Sequence, residues 1–247
     1  MGQNLIVTKP SAGLALLTIN GKGSQNFVNS DLAVELDEIC REINMDNSIH
    51  AVILSGPAGR AFCTVIEGAE TSMGPLAASI AQLTCPVIAA LYGHVTGQAL
   101  EIALACDIRL ATPGTRFSWP GILKGMMPSD GATQRLPRLI GKAKAMEMLL
   151  TGEIISARQA LRIGLINRLV GKDVLLTEAE ELGRGMAEKA VLSLKYCKEA
   201  VLKGLDMTLD QGLRLEGDLY YLLQTTQDRS EGILAFREKR KAVFKGI

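Results

Sequence analysis

Apolar positions along this chain follow two different periods, and they predict alternating strands and helices in the first half and helices alone in the second. Short apolar runs at Leu14–Ile19 and Ala51–Ser55 predict strands, and between them Leu32, Leu36, Ile39, Cys40 and Ile43 repeat at helical spacing. Asn29 or Ser30 is placed to cap that helix. The same alternation returns at Val87–Leu91 (strand), Tyr92–Gly97 (Gly-containing turn), Gln98–Ala105 (helix) and Ile108–Ala111 (strand). Strands separated by helices favour parallel pairing, so the predicted class is α/β. Residues 113–128 are irregular and rich in Gly and Pro. A helix over Gly131–Leu139 has Asp130 at its N-cap position. From about Ala143 onward the pattern is helical. Ser156 caps Ala157–Ile163 and Gly164 ends it, and four further helices are predicted at Val174–Lys189, Val191–Lys203, Leu209–Leu223 and Glu231–Phe244.

One stretch in this pattern carries chemistry. A helix that starts at a turn after a strand presents unpaired backbone N–H groups, and that end favours negative charge. Glu101 lies one turn into Gln98–Ala105, among Ile102, Ala103 and Leu104. A carboxylate in so apolar a helix is unusual unless it is paired or functional. Burial raises the pKa of such a group and suits it to proton transfer. The competing reading is a Glu that only pairs with a nearby Arg.

Composition narrows the function classes. The 247 residues amount to one large domain or a domain with an appendage, and 47% apolar content is enough for a sizeable core. A net charge of +1 gives no field that suggests nucleic acid as a partner. No window approaches about 18 uncharged apolar residues, so no membrane span is expected. No signal peptide is visible, which makes the cytoplasm the expected location, or an organelle matrix if a transit peptide has been removed. The five cysteines (Cys40, Cys63, Cys85, Cys106, Cys197) lack metal-ligand spacing and read as reduced structural thiols. Cys63, after Phe62 in a predicted substrate-facing turn, is the one exception to watch. With two histidines, His50 and His94, a His-rich metal site is not expected. His94 reads as a turn residue that packs locally.

Several segments resemble the enoyl-CoA hydratase/isomerase (crotonase) superfamily in order and spacing. They are Pro86–Leu110, Ala51–Gly56, Arg60–Phe62, Gly131–Gly141, Glu147–Gly152, Ile155–Val170 and Phe236–Gly246. The resemblance implies a crotonase-like ββα spiral over residues 1–190, which binds CoA and the acyl group. It also implies a C-terminal helical region, 191–247, that builds homotrimers or dimers of trimers. The substrate would be an acyl-CoA thioester, with coenzyme A entering as part of the substrate, and with no metal and no tightly bound cofactor. The family's shared step is an enolate whose oxygen is held by two backbone N–H groups. By match, Ile66 and Gln98 supply these amides and Glu101 is the catalytic carboxylate. Gln98 stands where the family has a glycine, so its amide serves only if its φ is negative.

This chain departs from the family pattern at one position with mechanistic weight. Where the family has a Pro-Glu pair, Trp119-Pro120-Gly121 places Gly121 in the slot of a second glutamate. Trp119 either narrows the acyl pocket or packs in the core. Ser129 and Asp130 lie in a turn where some relatives carry a catalytic Asp, so Asp130 is either a substitute acid or a helix cap. The resemblance further assigns Gln25, Phe27, Phe62 and Thr64 to the CoA groove, and Phe236 and Lys239 to its adenine end. The expected activity is that of an enoyl-CoA hydratase-like lyase using one glutamate. Isomerisation, decarboxylation, or a catalytically weak CoA-binding scaffold stand as alternatives.

Overall fold

The computed structural model describes residues 4–23, 26–28, 31–57, 61–65 and 76–247. The strands, in chain order, are β1 (Leu5–Ser11), β2 (Gly13–Ile19), β3 (Phe27–Val28), β4 (Ile49–Ser55), β5 (Thr64–Val65), β6 (Val87–Leu91), β7 (His94–Thr96), β8 (Ile108–Ala111), β9 (Arg116–Ser118), β10 (Ile155–Ser156) and β11 (Arg168–Leu169). The helices are α1 (Asp31–Met45), α2 (Leu76–Ala81), α3 (Gln98–Ala105), α4 (Ala132–Ile140), α5 (Lys142–Thr151), α6 (Ala157–Arg162), α7 (Leu175–Ala187), α8 (Val191–Gly204), α9 (Leu209–Gln224) and α10 (Gln227–Glu238). A 3-10 turn at Pro120–Lys124 lies inside the segment read as irregular.

Six strands form the main sheet in the order β1-β2-β4-β6-β8-β11. All neighbours are parallel except β1 and β2. Parallel strands bury both faces, which is why Val87–Leu91 is an unbroken apolar run with every residue buried. A three-stranded sheet, β10-β9-β7, stands beside the main one. Next to β7, α3 supplies six consecutive buried residues, Ala99–Leu104. Leu36, Leu54, Phe62, Leu100, Phe117 and Leu136 belong to the principal core around it.

Two polar residues, Arg109 and Asn26, fasten the layers. Arg109 on β8 is buried, and among the described residues no carboxylate pairs with it. Its guanidinium donates to the carbonyls of Leu165 (2.8 Å), Ala103 (3.3 Å) and Cys106, the last two at the C-terminus of α3. A cation there meets unpaired carbonyls and the negative end of the helix dipole. Asn26 takes a left-handed φ of 54°. Its amide donates to the carbonyls of Ile19 (2.8 Å) and Phe62 (2.7 Å). Asparagine is one of the few side-chain-bearing residues that tolerate this conformation.

The C-terminal helices differ in detail from the sequence pattern. α8 and α9 pack on each other. Lys198 of α8 reaches the sheet, donating to Asp107 (2.7 Å) and to the Cys85 carbonyl (2.9 Å). The last helix, expected at Glu231–Phe244, runs from Gln227 to Glu238. It stops because Lys239 turns left-handed (φ 55°), and residues 239–247 fold back so that Asp228 accepts the amides of Lys245 (2.7 Å) and Gly246 (2.9 Å). Leu202, Leu205, Leu209, Leu213, Tyr221 and Phe236 all stand exposed on these helices. Among the described residues, no helix is long and apolar enough to cross a membrane, and no His/Cys/Asp/Glu cluster could hold a metal.

Candidate active site

The site is assembled where the small sheet meets α3. Strand β7 pairs with β9 in parallel, setting Thr96 opposite Ser118. The Gly97 amide donates to the Ser118 carbonyl (3.2 Å). The start of α3 and the Trp119–Gly121 segment are therefore held side by side. Gly97 is the N-cap residue and takes a φ of 58°, which only glycine adopts at little cost. Its carbonyl accepts from the amides of Leu100 (3.0 Å) and Glu101 (3.2 Å). With the unusual conformation carried by Gly97, Gln98 keeps an ordinary negative φ. The condition for its amide to serve is met. That amide opens the helix and lacks an intrahelical acceptor.

Glu101 is only 1% exposed. Its Oε1 accepts from the amides of Asp130 (2.8 Å) and Ala132 (3.1 Å), at the start of α4. Its Oε2 has no hydrogen-bond partner among the described residues. One oxygen thus anchors the carboxylate and the other is free. Burial pushes the Glu101 pKa up, against the pull of the two amides, and the neighbouring Asp130 charge adds to the rise. Among the described residues no arginine or lysine pairs with it, which favours a functional carboxylate over a simple salt-bridge residue.

Trp119 lies against this carboxylate. Its indole N–H is close enough to favour the ionised form of Glu101, yet it makes no hydrogen bond of good geometry and is buried without a partner. The Gln98 side-chain carbonyl oxygen is buried in the same state. Among the described residues four buried side-chain polar atoms lack partners, and three of them (Gln98 Oε1, Glu101 Oε2, Trp119 Nε1) belong to this site. Buried polar atoms are almost always paired, so a cluster of three points to a ligand.

Several sequence expectations are corrected here. Asp130 does not cap the helix that follows it, whose N-cap is Gly131. Its carboxylate turns the other way and caps α2, accepting from the amides of Ala77 (2.5 Å) and Ala78 (3.2 Å). Both of its oxygens are thus occupied in holding α2. Ser129 is exposed in the turn. Phe62 is fully buried in the core, so its side chain does not line a groove. Cys63 is also fully buried, and burial pushes its thiol far up, which makes it inert rather than reactive. His94 is exposed and starts strand β7, which lies inside the segment expected to be a turn, so it is neither a turn residue nor locally packed. Phe236 (86% exposed) and Lys239 lie at the end of α10, and no hydrogen bond or ion pair joins them to the Glu101 cluster. Of the remaining groove positions, Phe27 and Thr64 pair directly between β3 and β5. Gln25 and Ile66 lie outside the described residues.

Two surface clefts, of about 480 Å³ beside Arg168–Val170 and about 510 Å³ beside Lys9 and His50, are elsewhere and contain none of these groups. Chemistry rather than cleft size marks the Glu101 cluster as the candidate site.

Comparison with known proteins gives the family. The family described as enoyl-CoA hydratase/isomerase matches residues 9–247. The chain belongs to the enoyl-CoA hydratase/isomerase family. It is 33% identical over 258 residues to crotonyl-CoA hydratase of Syntrophomonas wolfei, covering 98% of each chain. It is 37% identical over 253 residues to 2,3-dehydroadipyl-CoA hydratase of Escherichia coli K12, again covering 98% of each. Among solved structures, the enoyl-CoA hydratase from Bacillus anthracis superposes with a TM-score of 0.93 at 32% identity, covering 99% of this chain and 100% of that one. The fold is that of the crotonase superfamily.

Proposed function

We propose that this protein is an acyl-CoA-transforming enzyme, an enoyl-CoA hydratase-like lyase that works with one glutamate. The observation that carries the reading is the free, buried Oε2 of Glu101 next to the open amide end of α3. Relatives of similar length named as CoA-thioester hydratases support the substrate class.

In this reaction Glu101 Oε2 takes a proton from water as the water oxygen bonds to the β-carbon. The alkene electrons move onto the thioester oxygen, giving an enolate. The Gln98 amide donates to that oxygen, and Ile66 is the matching second donor. Protonated Glu101 then returns the proton to the α-carbon and the thioester carbonyl re-forms. A single carboxylate suffices because it takes and returns the same proton, and a pKa raised by burial strengthens it as the base that takes that proton. Oxyanion donors of this kind are worth roughly 3 kcal/mol each. The apolar face of α8–α10 supports trimer formation through residues 191–247.

Gly121 offers no second acid, and this favours one competing reading, a CoA-binding scaffold with little turnover. The two separate in one experiment. The protein is incubated with crotonyl-CoA in heavy water, following hydration and deuterium at the α-carbon by mass spectrometry. Turnover that is lost in Glu101→Gln supports the enzyme. Binding without hydration or exchange, across aliphatic, dienoyl and aromatic thioesters, supports the scaffold.

A further inference from the structure

We infer that the indole N–H of Trp119 is the second polar group of the reaction site, donating a hydrogen bond to the oxygen atom bonded to, or approaching, the substrate β-carbon. The inference deepens the reading above and rests on it. Trp119 is 5% exposed and belongs to the core, yet among the described residues its N–H makes no hydrogen bond of good geometry. The neighbouring unpartnered atom is an acceptor, Glu101 Oε2. A donor and an acceptor, both buried and both free, form the two-point cradle that a water or a hydroxyl group satisfies.

Gly121 follows from the same arrangement. A Cβ built on Gly121 would sit 2.2 Å from Trp119 Cη2 and 2.4 Å from Cζ3. The ring therefore fills the space that a side chain at position 121 would need. A tryptophan at 119 and any side chain at 121 exclude one another in this geometry. The second carboxylate has not simply been lost; a large neutral donor occupies its room.

The exchange changes the chemistry in a definite way. An indole N–H donates a hydrogen bond but does not take up or release a proton at ordinary pH. It positions the oxygen without altering the proton inventory, leaving all proton movement to Glu101. Discrimination follows as well. A β-hydroxyacyl thioester offers the N–H an acceptor, whereas a saturated acyl thioester leaves it buried and unpaired, which carries the desolvation penalty.

Trp119 is the only tryptophan of the chain, so its fluorescence reports this site alone. The test measures, by fluorescence for the native protein and by calorimetry for both proteins, the affinities of 3-hydroxybutyryl-CoA and butyryl-CoA in the native protein and in Trp119→Phe. A variant with β-(3-benzothienyl)alanine at 119, which keeps the shape and lacks the N–H, guards against packing effects. The native protein is expected to prefer the hydroxyacyl thioester on the order of tenfold. Both variants should lose that preference, and the benzothienyl variant should hold butyryl-CoA at least as tightly as the native protein does. A preference that survives in the benzothienyl variant, or is absent from the native protein, overturns the inference. Loss of turnover in Glu101→Gln speaks to the enzyme reading alone, so the two can fail separately.

Discussion

The indole ring of Trp119 fills the space where a side chain on Gly121 would begin, 2.2 Å from the place of its Cβ. Neither residue can be changed without reference to the other. Gly121→Ala should lower stability by about 1–3 kcal/mol, the ordinary cost of overpacking a core. In a Trp119→Ala background the same change should cost far less. A double-mutant cycle by urea unfolding reads this coupling, and additive effects would show that the ring simply moves aside.

The Gln98 amide can be removed without dismantling its helix. Proline is tolerated at the first helical position because its missing N–H has no intrahelical acceptor there. Gln98→Pro should therefore keep Tm close to native and lower kcat by about 10²–10³, as loss of an oxyanion donor does. Gln98→Ala retains the amide and should stay within a few-fold of native. Equal losses in the two variants would assign the effect to the side chain.

Glu101 makes stability depend on pH with a defined sign. Burial raises its folded pKa above the ordinary 4.5, so the folded chain binds a proton more readily than the unfolded one. Stability at this site is greatest below the unfolded value and falls as pH rises from there through the raised folded value. Glu101→Gln removes that titration. The Tm of the variant minus that of the native protein should increase as pH rises above 4.5, and then level off. The same variant should lose about 10²–10⁴-fold in kcat. A flat Tm difference across the range would mean the carboxyl is not desolvated.

Asp130 separates support from catalysis. Asp130→Asn keeps one acceptor for the α2 amides, and it should retain turnover within several-fold. Asp130→Ala loses both bonds and should cost about 1 kcal/mol of stability, as a lost cap does. Abolished activity in Asp130→Asn, with the fold intact by circular dichroism, would return Asp130 to the role of second acid.

Lys198 tests how α8 is attached. Its ammonium is largely buried between Asp107 and the Cys85 carbonyl. Lys198→Met takes the cation away from Asp107, which keeps the Val87 amide (2.7 Å), and from the Cys85 carbonyl, and should cost about 1–3 kcal/mol by denaturant unfolding. An unchanged midpoint would show that apolar contacts alone hold the helix.

Much of this architecture was legible in the chain. Val87–Leu91, Gln98–Ala105 and Ile108–Ala111 form with the bounds their apolar pattern predicts, because both faces of each are buried and glycine marks the turn. The capping box of Ser156 and Gln159 was legible in part, through Ser156. Other features depend on contacts that no local pattern encodes. Strand β1 carries mostly exposed residues and a proline, so it shows no apolar alternation. The final helix ends early because Asp228 captures the returning backbone, a choice made 17 residues away. Asp130 caps a helix 53 residues upstream rather than its own. At the site, Glu101 and the Gln98 amide were readable from helix geometry. The Trp119–Gly121 contact was not, because the pairing arises only when a 3-10 turn folds the ring back over the residue two positions on.

The thiols have a practical consequence. Cys40, Cys63, Cys85 and Cys106 are sealed in the interior, and Cys197 on α8 is exposed. A maleimide dye would thus find one address, on the helix that carries Lys198, while the lone indole emits from beside Glu101. Energy transfer between the two turns the native chain into a molecular ruler, able to register from solution any shift of the outer helices that accompanies thioester binding.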